Sequence, residues 1–434
     1  MKRKALVVGL LAACIPGISG AEDIFSLYQE ALSSDTRFMA ARAEFAATEQ
    51  RLPQSMANRL PSLSLNGNTT ANHLEGNTFD QESYGSWGWS LNLTQPVYRL
   101  ENEYGYQQTQ MVVQQARAEL ELARQDLVLR LADAYFAVLL AQDTVATLGA
   151  ERAAIAEQLA AANRGYELGT ANITDVRDAQ ARHDLVGAQQ IVARNELATG
   201  IEQLRLIINR TPGAPRPLRP GVDLGNPQPD DMEAWVRAAA ADNLAVLAGQ
   251  AAFEVARLET RKAHAARYPQ LDLVASYGSS KSATINTVGL ELDERRIGLQ
   301  LSVPIYSGGG LAARQREASS LLDKASADLE NVRRTSVLTA RQAYLNVTAG
   351  LAEVRALEQA LLSAQTALQA NQRGLELGVR ANIDVLNAQR QISTTERDLS
   401  RARYETLLAM LRLRAAAGRL GEKELRDLNE LFAL

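Results

Sequence analysis

"RGYELGTANITDVRDAQ" spans Arg164–Gln180, and "RGLELGVRANIDVLNAQ" spans Arg373–Gln389. Nine of the seventeen aligned positions are identical, where unrelated segments would share about one. Three further pairs sit at nearly the same offset: "LPSLSL" (60–65) with "YPQLDL" (268–273), "QPVY" (95–98) with "VPIY" (303–306), and "AYFAV" (134–138) with "AYLNV" (343–347). The offset is 208 up to Tyr306 and 209 beyond it, so the chain is a tandem duplication with a single inserted residue. The copies cover about 22–210 and 231–417. Between them, 211–230 carries six of the twelve prolines. Such a segment reads as a linker, because each proline lacks an amide donor and clashes with the preceding helical turn. Residues 418–434 are a C-terminal tail.

Within each copy the hydrophobic period changes. Leu131, Ala134, Val138, Ala141, Val145 and Leu148 follow 3–4 spacing, which breaks at Arg152 and resumes at Ile155, Leu159, Ala162 and Tyr166. That is a seven-residue coiled-coil seam. A helix from near Leu100 to Leu168 would measure about 100 Å, the length of a rod or tube. In "WGWSLNLTQP" the period is 2: Trp87, Trp89, Leu91 and Leu93 alternate with Gly88, Ser90, Asn92 and Thr94. Ile297, Leu299, Leu301 and Val303 repeat the alternation, with Gln300 and Ser302 between them. Pro61, Pro96, Pro269 and Pro304 bound the strands, so each copy predicts one β-hairpin, about 61–96 and about 269–304, of roughly ten-residue strands. Trp87, Trp89, Tyr98 and Tyr306 then fall near strand ends, where an interfacial aromatic belt and ordinary packing both use such residues.

Residues 1–21 read as an export signal: Lys2, Arg3 and Lys4, an apolar stretch from Ala5 to Ile15, and Ser19-Gly20-Ala21 for cleavage. Leu11-Ala12-Ala13-Cys14 also fits a lipoprotein site that would acylate Cys14. Past the signal there is no cysteine, hence no disulfide or thiolate metal site, and no apolar run of 18 residues. Without the three basic signal residues, 43 Lys and Arg face 50 Asp and Glu, a net of −7 that argues against nucleic acid as partner. Four strands cannot close a barrel, and lipid tolerates no open sheet edge. Membrane insertion therefore requires several chains to pool strands, and a water-filled bore favours three or more over two.

The repeated turns close the seam helices. Gly169 and Gly378 suit left-handed helix stops, and Asp175 and Asp384 fall in the first turn of the returning helix, with Thr174 as its cap. The turns (about 165–175 and about 374–384), the flanks "LPSL…QPVY" and "YPQL…VPIYSGGG", and the closing "ARYETLLAMLRLRAAAGRLGEKELRDLNEL" together resemble the TolC family of Gram-negative outer-membrane export ducts, over essentially the whole mature chain. The resemblance implies a mainly α fold with a membrane β-barrel. Three chains would share a twelve-stranded barrel in the outer membrane and an α-helical tunnel through the periplasm, with linker and tail forming an equatorial belt.

It also implies a periplasmic entrance opened by iris-like movement of the hairpins. Asp384 matches an acidic constriction ring that would attract cations; the second ring position is Asn387, which predicts a neutral ring. Arg380 matches a latch arginine and Thr174–Asp175 its acceptor pair, while Leu375 stands where the family has a latch tyrosine. Partners implied are a periplasmic adaptor, an inner-membrane ABC or RND transporter, and outer-membrane lipid. The competing class is a periplasmic coiled-coil adaptor, which usually carries one hairpin rather than two. Enzyme chemistry and cofactors are not expected: His73, His183 and His264 have no metal-ligand spacing, and "SGGG" (307–310) lacks the lysine of a phosphate loop.

Overall fold

The computed structural model describes residues 22–76, 79–219 and 221–433. The export signal and Cys14 lie outside them. The first copy comprises α1 (Ile24–Ser34), α2 (Thr36–Glu49), α3 (Arg51–Ala57), β1 (Ser62–Gly76), β2 (Phe79–Tyr98), α4 (Leu100–Glu167) and α5 (Ile173–Ile208). The second comprises α6 (Met232–Asp242), α7 (Leu244–Ala265), β3 (Gln270–Lys281), β4 (Glu291–Ser302), α8 (Gly310–Glu376) and α9 (Asn382–Ala416), and α10 (Glu422–Asn429) follows. The fold is mostly helical, with one antiparallel sheet in the order β1-β2-β3-β4.

The helix of 68 residues is unbroken through Arg152. Its buried face runs Leu131, Ala134, Val138, Ala141, Leu148, Glu151, Ile155 and Ala162. The gap in the apolar pattern is therefore filled one residue early, by a buried acid, while Arg152 faces solvent. An 18-residue window of α4 reaches a mean hydropathy of 1.2, and half of that window is buried against neighbouring helices.

The main core lies at mid-height of the helices. Leu127, Leu131, Tyr135, Phe136 and Leu139 of α4 meet Ile24, Leu27 and Tyr28 of α1, Leu204 of α5, Leu407 of α9, and Phe432 of the tail. Each such fully buried side chain contributes about 1.5–3 kcal/mol. Tyr135 fastens three separate segments here: its hydroxyl approaches the Glu22 and Arg216 carbonyls at 3.1 and 3.3 Å and accepts from the Arg216 amide at 3.0 Å. Short bridges Glu22↔Pro215 and Leu218↔Phe432 bind the chain start, the linker and the tail together.

The strands depart from the expected equal hairpins. β1 and β2 have 15 and 20 residues, β3 and β4 have 12 each. Register pairs β2 with β3 only from Trp87↔Lys281 downward, so β1 and β2 continue beyond it as a two-stranded ribbon. That extension is rich in Asn, Thr, Ser and Glu, and its weak apolar alternation is why the period-2 pattern did not reveal it.

Candidate functional site

Two regions gather the residues singled out in the sequence, the sheet and the hairpin tips. In the sheet, cross-strand register sorts side chains cleanly. One face collects Leu63, Leu65, Leu91, Leu93, Ala275, Ile297, Leu299 and Leu301; the other collects Ser64, Ser90, Asn92, Thr94, Ser276, Gln300 and Ser302 together with the charged Asp272, Glu294 and Arg296. Ile297 and Leu299 are 79% and 68% exposed, so this apolar face has no cover within the chain. Both outer strands, β1 and β4, have one unpaired edge.

Trp87 and Trp89 sit in the middle of β2, not near its end, because the ribbon lengthens the strand. They nevertheless mark the upper border of the apolar face. Trp89 meets Tyr277 edge-on at 5.3 Å, Arg295 lies 5.2 Å over the same Tyr277 ring, and Asp293, Glu291 and Lys281 follow beyond. Tyr98 closes β2 at the opposite border, and Tyr306, 88% exposed, lies past the end of β4 on that side. At this lower border Arg99 forms a paired ion contact with the buried Asp272 of β3, fixing the step from strand to helix. The Asp272 interaction holds the Arg99 guanidinium above its ordinary range.

At the tips, the duplicated sequence produces the same backbone twice. Gly169 and Gly378 adopt φ of 71° and 74°, the left-handed conformation that only glycine enters without cost. The amides of Thr170 and Val379 return to the Gly165 and Gly374 carbonyls at 2.8 and 2.9 Å. A Cβ on Gly374 would lie 2.6 Å from Arg380 Cγ, and one on Gly165 3.0 Å from Ala171 Cβ. A side chain is therefore excluded at Gly374 unless Arg380 shifts, and Gly165, its identical counterpart in the repeat, is tightly packed. Asp175 Oδ2 accepts from the Asn172 amide at 3.2 Å, and Asp384 Oδ2 from the Ala381 amide at 3.3 Å. The cap of α5 is thus Asn172, with Asp175 reaching back to it; Thr174 lies exposed inside the first turn and does not cap.

The two tips enclose a cleft of about 660 Å³, whose lining includes Asp175, Thr170, Leu375, Arg380, Leu386 and Gln389. Asp175, Leu375 and Arg380 are so brought together. Within one chain Arg380 lies nearest to Asp384 of its own hairpin, Nη1 to Oδ2 at 3.9 Å. Asn387 faces the first hairpin, where its Oδ1 accepts from Arg182 Nη2 at 2.7 Å. Leu386 and Ile383 of α9 pack into the Leu148–Ile155–Ala179–Val186 core of α4 and α5. Arg182 was not visible as a partner in sequence, since nothing in the motif pairs position 182 with 387.

The duplicated architecture, the exposed apolar sheet face and the paired tips agree with what comparison finds. The family model described as outer membrane efflux protein matches residues 27–210 and 235–419. The chain belongs to the outer membrane efflux protein family. It is 31% identical to the outer membrane protein TolC of Vibrio cholerae over 412 residues, covering 94% of this chain and 93% of that one. It is 32% identical to the alkaline protease secretion protein AprF of Pseudomonas aeruginosa over 422 residues, covering 93% and 87%. The outer membrane protein VceC of Vibrio cholerae has the same fold, with a TM-score of 0.79 over 91% of this chain and 96% of that one at 19% identity. As a member of this family the chain is an efflux and secretion channel of the outer membrane, and the family is one of transport rather than catalysis. The adaptor alternative is not favoured.

Proposed function

We propose that the channel is a homotrimer whose three four-stranded sheets close a twelve-stranded barrel, with three pairs of coiled hairpins forming an α-helical tunnel below it. The observation that carries this is the pair of unpaired edges on β1 and β4 beside an uncovered apolar face. Lipid accepts that face but not those edges, so β4 of one copy must join β1 of the next. The polar face, with its Ser, Asn and Thr side chains and the charged Asp272, Glu294 and Arg296, then lines the bore, and Trp87, Trp89, Tyr98 and Tyr306 form the two aromatic borders. The linker and tail, joined through Tyr135 and Phe432, form a belt at mid-height.

Cargo enters at the hairpin tips from an inner-membrane ABC or RND translocase through a periplasmic adaptor. Secreted proteins are the cargo class favoured here, from the likeness to a protease secretion protein, with drugs and small molecules as the other class. Asp384 forms an acidic ring at the entrance. Arg380 of the second hairpin latches the entrance by reaching the Thr174–Asp175 pair of the first hairpin, and Leu375 leaves that latch one hydroxyl short. Light scattering of the detergent-solubilised protein should give three chains per particle, and the same material should conduct ions in a planar bilayer. A monomeric, non-conducting particle would reject the trimer.

A further inference from the structure

The contact face of α9 changes character along its length. Near mid-height, Tyr404, Leu407, Leu408 and Leu411 join the large core. Toward the tip, the same 3–4 spacing brings up Ser400, Arg397, Ser393 and Arg390 instead. Across from these, α4 presents two acids eight residues apart. Asp143 accepts from the Tyr404 hydroxyl at 2.9 Å. Glu151 is only 3% exposed, and its Oε2 has no hydrogen-bond partner among the described residues. Ser393 faces it from α9, and the charges acting on it are Arg397 and Arg390 of α9 and Arg182 of α5. This is the residue that fills the gap in the α4 seam.

We propose that Glu151 is a release element in the seam between the two hairpins: its ionised carboxylate favours separation of α9 from α4, and its protonated form favours docking. The proposal rests on the reading of the hairpin tips as a movable entrance. Docking strips water from the carboxylate and leaves one oxygen unanswered; separation returns the water. Burial pushes the Glu151 carboxyl above its ordinary range, outweighing Ser393, Arg397, Arg182 and Arg390, which pull it down. The docked form therefore holds the proton more tightly, so docking is strongest at low pH and weakens as pH rises through the raised value. Asp143 moves in the same direction through burial, against Tyr404, Ser400 and Arg403, but it keeps its tyrosine partner.

The chain has no cysteine beyond Cys14, so spin labels on Leu168→Cys and Leu377→Cys, exposed positions at the two tips, report docking directly. The short-distance population of the labelled parent should rise about twofold or more between about pH 8 and about pH 5. Glu151→Gln, which keeps the shape of the side chain, should hold a high short-distance population at both pH values. Carrying Asp384→Asn in both backgrounds removes the entrance carboxylate from the comparison. Equal pH responses with and without Glu151 would overturn the proposal, as would a smaller docked population in Glu151→Gln than in the parent at the higher pH. The distances are read without ion flow, so a failure of conduction rejects the duct reading separately.

Discussion

The first helices of the two coiled hairpins descend from one sequence, yet they are buried very differently. α4 buries seventeen of its 68 residues and α8 only eight of its 67. Between Val354 and Gly374, α8 buries none. Beyond its hairpin partner, α4 packs against α1, α2, α3, α7 and α9, and α8 against α6 and α7; the returning helices reverse the inequality, α9 burying fourteen of its 35 residues and α5 eight of its 36. Duplication fixed the turn and the helix lengths; subsequent divergence placed more of the buried surface on α4 in the first copy and on α9 in the second. Four pairs of positions in the two copies differ in ways that experiment can read.

The largest effect is expected where the copies enter their helices. Asp35 caps α2 through the Phe38 amide at 2.8 Å and also holds Arg130 through two contacts of 2.9 and 3.0 Å. Its counterpart Asn243 caps α7 and donates to the Ala416 carbonyl at 2.8 Å, with no ion pair. Asp35→Ala should cost about 3 kcal/mol, and Asn243→Ala about 1 kcal/mol, both read as thermal unfolding in detergent. Burial alone would raise the Asp35 carboxyl, but the Arg130 contact and the Phe38 amide win and lower it. This stabilisation is present above the ordinary aspartate range and lost as pH falls through the lowered value, and Asp35→Asn should remove that pH dependence.

Next comes the close approach of helices within each hairpin. A Cβ on Gly350 would lie 2.4 Å from Thr406 Oγ1, whereas one on Gly200 would lie 3.2 Å from Val138 Cγ2. Gly350→Ala should cost about 1–3 kcal/mol by the same assay, and Gly200→Ala less. At the tips, Asp384→Ala should weaken channel block by multivalent cations about tenfold, or 1.4 kcal/mol, while Asp175→Ala leaves it unchanged. Undiminished block would place the cation site elsewhere. Smallest of all, Arg380→Ala should raise single-channel conductance about twofold through loss of the latch. Its counterpart in the first copy is already Ala171, so an unchanged conductance would erase the functional difference between the turns.

Most of the fold was legible because repetition turns weak signals into strong ones. No single alternating stretch establishes a strand, but Leu91–Leu93 echoed by Leu299–Leu301 does, and four flanking prolines mark the ends. What escaped were features with no periodic trace. The β1–β2 extension carries polar residues on both faces, so it was not counted as strand, and Trp87 and Trp89 were placed near its end. The seam at Arg152 read as a break because pattern analysis assumes that buried means apolar, and Glu151 violates that assumption. The Arg182–Asn387 contact joins residues 205 apart in sequence, and only the packing of Leu386 into the first hairpin brings them within reach.

The unequal strands have a practical consequence at the outer end. Above Trp87, β1 and β2 pair only with each other among the described residues, and a lone two-stranded ribbon is held weakly enough to accommodate foreign sequence. In the proposed barrel, a peptide epitope spliced into this ribbon would be carried clear of the wall. The shorter second loop, between Lys281 and Glu291, offers no comparable mast.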